Sequence, residues 1–115
     1  KRDSLYNLIK FYYLNNNQLT QIKAIDFSRL FYLIKLDLSL NNLSKIDSYA
    51  FNDLKSLIFL NLSHNKLEII EKNLTKPLIN LIQLDLSFNT IKYIEEGSFS
   101  TLKYLRILQL NNNLF

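Results

Sequence analysis

The stretch "LIKLDLSLNNLSKI", residues 33–46, places leucine at 33, 36, 38 and 43 and an asparagine at 41. Apolar spacings of three, then two, then five fit no regular element. A helix repeats apolar residues at i, i+3, i+4 and i+7, and a long half-buried strand alternates strictly. Only Leu36-Asp37-Leu38 alternates, so a short strand must be followed by a chain that bends.

The same grammar recurs along the chain. It returns in "LIFLNLSHNKLEII" (57–70), "LIQLDLSFNTIKYI" (81–94) and "LRILQLNNNLF" (105–115), with a weaker copy, "IKFYYLNNNQLTQI", at 9–22. The marker asparagines are Asn17, Asn41, Asn65, Asn89 and Asn113, which gives a period of 24 residues without insertion or deletion. Other positions keep this register. Ile22, Ile46, Ile70 and Ile94 follow the markers at one fixed distance, Phe27, Phe51, Thr75 and Phe99 at a second, and Leu30, Leu54, Leu78 and Leu102 at a third. A fixed period of this length is the signature of a solenoid, in which each repeat buries its apolar side against its neighbours.

The physics of one repeat follows. Lys35 to Leu38 forms a short strand whose Leu36 and Leu38 point inward, and stacked strands form a parallel sheet with a spacing of roughly 4.8 Å. Five rungs then span about 24 Å. The marker asparagine stands where the chain leaves the strand and turns. A turn enclosed by its neighbours has backbone N–H and C=O groups that water cannot reach, and these need partners. An asparagine amide supplies both donors and an acceptor, so a ladder of asparagines satisfies adjacent turns where leucine would orphan them. The phenylalanines stack behind the sheet. Rung three departs from the pattern, with Thr75 in the phenylalanine position, Leu74 beside it and Pro77 close behind, which predicts a different convex segment there.

The pattern LxxLxLxxNxL followed by xxIxxxxFxxL resembles the 24-residue leucine-rich repeat of animal extracellular proteins, a group that includes Toll-like receptors, Slit, leucine-rich proteoglycans and the variable lymphocyte receptors. Rungs such as "LDLSLNNLSKIDSYAFNDLKSL" look most like those of Toll and Toll-like ectodomains. The resemblance covers essentially the whole chain. It implies an α/β leucine-rich repeat fold: a right-handed, horseshoe-shaped solenoid with a concave parallel β-sheet and irregular or 3₁₀ convex segments. Residues 1–115 then form one leucine-rich repeat domain of about five rungs. Lys1 to Leu8 reads as the tail of a preceding rung and the chain stops midway through the fifth, so the expectation is an internal piece of a longer solenoid without its caps. The implied function is recognition of a protein or other macromolecular ligand by a receptor ectodomain that signals in innate immunity, with receptor dimerisation. The alternatives are a secreted or matrix adhesion scaffold and an intracellular or microbial adaptor. The expected location is extracellular, as part of a single-pass membrane glycoprotein, or secreted.

Composition narrows the function classes. No run approaches the ~18 apolar residues that a bilayer-spanning helix requires. The formal charge of +4 comes from lysines spread over every rung and interleaved with acids (Lys45/Asp47, Glu68/Lys72, Lys92/Glu95). A nucleic-acid binder gathers such charge on one face, so nucleic acid is not indicated. There is no cysteine and one histidine, His64, so no zinc set can form around it. Gly97 is the only glycine, which excludes a glycine-rich phosphate loop. Asp37 and Asp85 lie two rungs apart at roughly 10 Å, near the separation used by inverting glycosidases. They stand on an open sheet with nothing to exclude water. The expectation is a non-enzyme with no cofactor and no metal.

A surface remains. Residues flanking the buried leucines face the concave side, giving one column of Phe11, Lys35, Phe59, Gln83 and Ile107 and a second of Tyr13, Asp37, Asn61, Asp85 and Gln109. Asn15, Ser39, Ser63, Ser87 and Asn111 form an expected third column. These columns vary while the buried positions hardly change. Exposed aromatics beside acids suit a protein interface, so the first two columns are the candidate binding residues. The alternative is the edge, lined by Leu40, His64 and Phe88 just before their markers. Three N-x-[ST] sequons, at Asn42, Asn61 and Asn73, are candidate N-glycosylation sites.

Overall fold

The computed structural model describes residues 5–115; residues 1–4, the first half of the stretch read as the tail of a preceding rung, lie outside the described residues. The elements in chain order are β1 (Phe11–Tyr13), β2 (Gln21–Ile22), β3 (Lys35–Asp37), β4 (Lys45–Ile46), β5 (Phe59–Asn61), β6 (Ile69–Ile70), α1 (Lys72–Thr75), β7 (Gln83–Asp85), β8 (Tyr93–Ile94) and β9 (Ile107–Gln109). The odd-numbered strands form a five-stranded parallel sheet in the order β1-β3-β5-β7-β9. Its register never slips: Phe11 lies beside Lys35, Lys35 beside Phe59, Phe59 beside Gln83 and Gln83 beside Ile107. The expected leucine-rich repeat solenoid is therefore the architecture found.

The middle residue of each three-residue strand points into the solenoid. Leu36, Leu60 and Leu84 are buried, whereas Tyr12 and Leu108 in the first and last strands are half-buried. Leu38, Leu62 and Leu86 follow at the strand ends, and Leu43, Leu67 and Ile91 close each turn from below. On the far side Phe27 and Phe51 are buried, with ring centroids 6.2 Å apart, and Tyr12 meets Phe27 edge-on at 6.0 Å.

The marker asparagines act on the backbone, not on one another. Asn65 is buried, and its amide nitrogen donates to the carbonyls of Leu62 (3.1 Å), Ser63 (3.2 Å) and, in the preceding rung, Leu38 (3.0 Å). Its Oδ1 accepts from Leu43 N–H of that preceding rung at 2.9 Å. Asn41 and Asn89 repeat this set one period away on either side. Asn17 is exposed and, among the described residues, bonds only within its own turn, to Leu14 and Asn15. Asn113 is half-buried and reaches back to Leu86 and to Ile91 N–H.

The convex side holds more order than the irregular segments expected there. Ile22 pairs with Ile46 through β2 and β4, and Ile70 with Ile94 through β6 and β8, as two small parallel sheets. Between these strands and the next concave strand the chain runs through i→i+3 turns such as Ala50 N–H to Asp47 and Leu54 N–H to Phe51. Rung three does differ, as its sequence predicts. There α1 forms an i→i+4 bond from Lys76 N–H to Lys72 (2.9 Å), and Leu74 is buried among the core side chains. The buried Thr75 hydroxyl donates to the Ser98 carbonyl, so its polarity is matched.

The clamp geometry sets a test. Asn65→Leu keeps the side-chain volume nearly constant but orphans Leu43 N–H, while the Leu38, Leu62 and Ser63 carbonyls each keep a second donor in Asn41, Asn89 and Leu40 N–H. The expected destabilisation is on the order of 1–3 kcal/mol for each buried group left unpaired. Asn17→Leu, at an exposed turn, should shift the urea midpoint far less. Equal midpoints for the two variants would refute the clamp.

Candidate recognition surface

Because β1, β3, β5, β7 and β9 are short and in register, their outward residues form straight columns across the concave face. In the first column Phe11 and Ile107 are largely exposed, Phe59 is less exposed than Phe11 and Tyr13 at 38 %, and Lys35 and Gln83 are half-buried between them. Tyr13 in the second column is exposed, and the Lys35 ammonium lies 5.4 Å from its ring centre. A cation over an aromatic face is attracted by the ring quadrupole, which couples the two columns at the first rung pair. Lys35, Asp37, Phe59, Asn61, Gln83 and Asp85 also line a shallow depression of about 130 Å³. The structure thus brings together all ten expected concave residues, with Gln109 half-buried at the last strand.

The third expected column reaches the surface only at its ends, where Asn15 and Asn111 are exposed. Ser39, Ser63 and Ser87 are buried. The strands end at Asp37, Asn61 and Asp85, so alternation no longer governs the next-but-one residue. Instead the Asp37 carboxylate accepts Ser39 N–H at 3.0 Å and Ser39 Oγ–H at 2.7 Å. Asp85 does the same for Ser87, at 3.0 and 2.6 Å. Asn61 Oδ1 accepts Ser63 N–H at 3.0 Å. These are Asx-type turns, a role that sequence reasoning missed. The signal was present as D-x-S and N-x-S directly after each strand. One oxygen of each carboxylate is thereby occupied, and the other has no protein partner among the described residues.

The edge residues share one backbone state. Asn16, Leu40, His64, Phe88 and Asn112 all have positive φ, between 56° and 60°. Left-handed backbone at a leucine or phenylalanine is uncommon, since Cβ crowds the following carbonyl. The identical turn projects successive side chains in parallel, and the rings of His64 and Phe88 stack at 4.4 Å with 7° between their planes. Leu40 and Phe88 remain about half exposed. Of the sequon asparagines, Asn42 and Asn73 are exposed, on the edge and in α1 respectively, while Asn61 is half-buried and engaged in its turn. Among the described residues no group of three or more His, Asp or Glu could hold a metal. No helix among them is long and apolar enough to cross a membrane.

Comparison with known proteins agrees with this geometry. The leucine rich repeat family profile matches residues 12–67 and 60–115. Two similar solved structures come from the Toll–Spatzle complex, a molecular hub in Drosophila development and innate immunity. One chain is 31% identical with a TM-score of 0.86, over 87% of this chain and 13% of that one. In the glycosylated form the values are 30% and 0.88, over 91% of this chain and 14% of the other. The present chain therefore spans about an eighth of the length of the chains it matches. A search of curated proteins gives no match. The chain belongs to the leucine-rich repeat family, a fold that typically serves as a non-enzymatic binding scaffold, and it resembles a segment of a Toll ectodomain.

The aspartate turns predict a graded result. Asp85→Ala removes two hydrogen bonds from Ser87 and should lower stability by about 1–3 kcal/mol, as for a buried donor left unpaired. Asp85→Asn should lose much less, because Asn61 already performs this function one rung earlier. Thermal unfolding that ranks the two variants equally would show that the carboxylate does not hold the turn.

Proposed function

We propose that this chain is a protein-recognising part of a leucine-rich repeat receptor ectodomain of Toll-like type, working outside the cell in innate recognition and signalling and not as an enzyme. The observation that carries the reading is the concave face. Its frame is fixed by buried leucines and amides, while its outward columns change from rung to rung and present Phe11, Tyr13 and Phe59 to solvent. Large aromatics with few rotatable bonds are the side chains that dominate protein interfaces. The free oxygens of Asp37 and Asp85 add fixed negative charge for orienting a basic partner group. The likeness to a chain of the Toll–Spatzle complex supports this use of the fold.

The convex surface is a weaker candidate. The Lys92–Glu68 ion pair, at 3.4 Å, joins two well-exposed side chains, and such pairs contribute little to binding or stability. A glycan on Asn73 would stand clear of the concave face. One on Asn42 would cover the edge beside His64 and Phe88.

A second reading has its own support, the His64–Phe88 stack on left-handed backbone, which holds two rings ready at the edge. The two are separable by partner titration in the full-length protein. Phe59→Ala or Tyr13→Ala should weaken binding by more than about 1 kcal/mol, while the double variant His64→Ala, Phe88→Ala should leave it nearly unchanged. The reverse ranking would assign the site to the edge.

A further inference from the structure

We propose that the cleft between β4 and β6, on the convex side, accepts an extended peptide strand by backbone pairing. This site is separate from the concave face and does not depend on its reading.

The periodicity of the convex side is broken at one step. Between rungs one and two the convex ladder closes fully, with Ser44 N–H on the Thr20 carbonyl at 3.1 Å and Asp47 N–H on the Ile22 carbonyl at 2.9 Å. Between rungs three and four it closes again, with Lys92 N–H on Glu68 at 2.9 Å and Glu95 N–H on Ile70 at 2.8 Å. The same register between rungs two and three would place Glu68 N–H on the Ser44 carbonyl and Glu71 N–H on the Ile46 carbonyl. Neither bond forms. The ladder stops at Lys66 N–H to Leu43, at 2.8 Å, and β4 and β6 belong to different sheets. The concave sheet is unbroken at the same step, with Phe59 N–H on Ile34 at 3.1 Å and Leu38 N–H on Asn61 at 2.8 Å. The two rungs therefore part on one side only.

Burial and bonding agree with this splay. Ile46 is half-buried although it sits in a central rung, whereas Ile22 and Ile70 at the equivalent positions are buried. Rung three is tied towards rung four. Lys72 N–H donates to Glu95 Oε1 at 2.9 Å, the Thr75 hydroxyl to the Ser98 carbonyl, and Thr101 Oγ1 to the Lys76 carbonyl at 3.1 Å. The space left behind is a cleft of about 290 Å³, with Ile46, Leu67 and Leu74 among its lining and Lys45, Glu68 and Glu71 around it.

These features specify the occupant. The free edge of β6 offers the N–H groups of Glu68 and Glu71, and the facing edge offers the carbonyls of Ser44 and Ile46. An extended backbone carries acceptors for the first and donors for the second at matching spacing, which is the chemistry of strand addition. Its alternate side chains face opposite ways, so a small apolar residue would meet Ile46 and Leu74 while its neighbours face water. A basic neighbour suits Glu71, which has no ion-pair partner among the described residues.

The test uses the full chain and a capped peptide, acetyl-Thr-Val-Lys-Val-Thr-Lys-amide, with a version N-methylated at alternate residues as the control. Amide exchange followed by NMR should show Glu68 and Glu71 exchanging fast in the free chain, against slow Lys92 and Glu95. The peptide should bind saturably and slow the Glu68 and Glu71 amides by at least about tenfold. The N-methylated peptide and the variant Ile46→Lys should abolish this. Slow exchange at Glu68 and Glu71 without peptide would overturn the proposal. So would no saturable binding at millimolar peptide, equal binding of the N-methylated form, or protection confined to the concave strands.

Discussion

The side-chain amide of the marker asparagine is the interaction on which the rest of the structure depends. A leucine core is non-directional and would tolerate a rung sliding along its neighbour. The amide does not tolerate this. Asn41, Asn65 and Asn89 each touch the strand end of their own rung, the strand end of the rung before, and the turn N–H of that earlier rung. Three backbone segments are thus fixed by one side chain, and the unslipped register of the five-stranded sheet follows. Burial of Leu36, Leu60, Leu84 and their neighbours supplies most of the driving force, at roughly 1.5–3 kcal/mol per fully buried leucine. The amides decide which stacked arrangement that force selects.

What was legible in the sequence is what faces inward. Leucines, isoleucines and asparagines at a fixed period have one physical reason to be where they are, so period, strands, clamp and the exception at Thr75 could all be read. Three features could not. The convex strands β2, β4, β6 and β8 are two residues long and turn one isoleucine each towards the core, buried in β2 and β6 and half-buried in β4 and β8, which leaves no alternation to detect. The serine column was placed on the surface by extending strand alternation past Asp37, where the strand has ended and the carboxylate turns back onto Ser39. The left-handed turn carries leucine, histidine and phenylalanine in the central rungs, of which only histidine is enriched at positive φ. Asn16 and Asn112, at the outer rungs, are the stronger signals.

A quasi-one-dimensional core explains how rung three can deviate at small cost. Each rung contacts only its neighbours, so replacing phenylalanine by Thr75 and inserting α1 changes two interfaces and no others. The two faces of those interfaces are also independent. The concave side is held by the sheet and the asparagine clamp, which continue through Asn65 and Asn89. The convex side is held by short ladders that can open without disturbing the register. Variation in this chain is therefore tolerated in two places, the outward columns of the sheet and the convex step beside α1.

The edge shows how far the frame can be loaded. Left-handed backbone costs an L-residue roughly 1–2 kcal/mol, and Leu40, His64 and Phe88 all adopt it. Asparagine would sit there more easily, as Asn16 and Asn112 do. In the three central rungs the residues on either side leave it no freedom. Ser39, Ser63 and Ser87 are held by the Asx turn, and the marker asparagine that follows the left-handed residue is locked by its own bonds. A turn pinned from both sides accepts whatever side chain stands between, and that is why the edge, like the concave columns, can vary in chemistry while its geometry stays constant. The same clamps that set the register thus also set the parallel projection that allows His64 and Phe88 to stack.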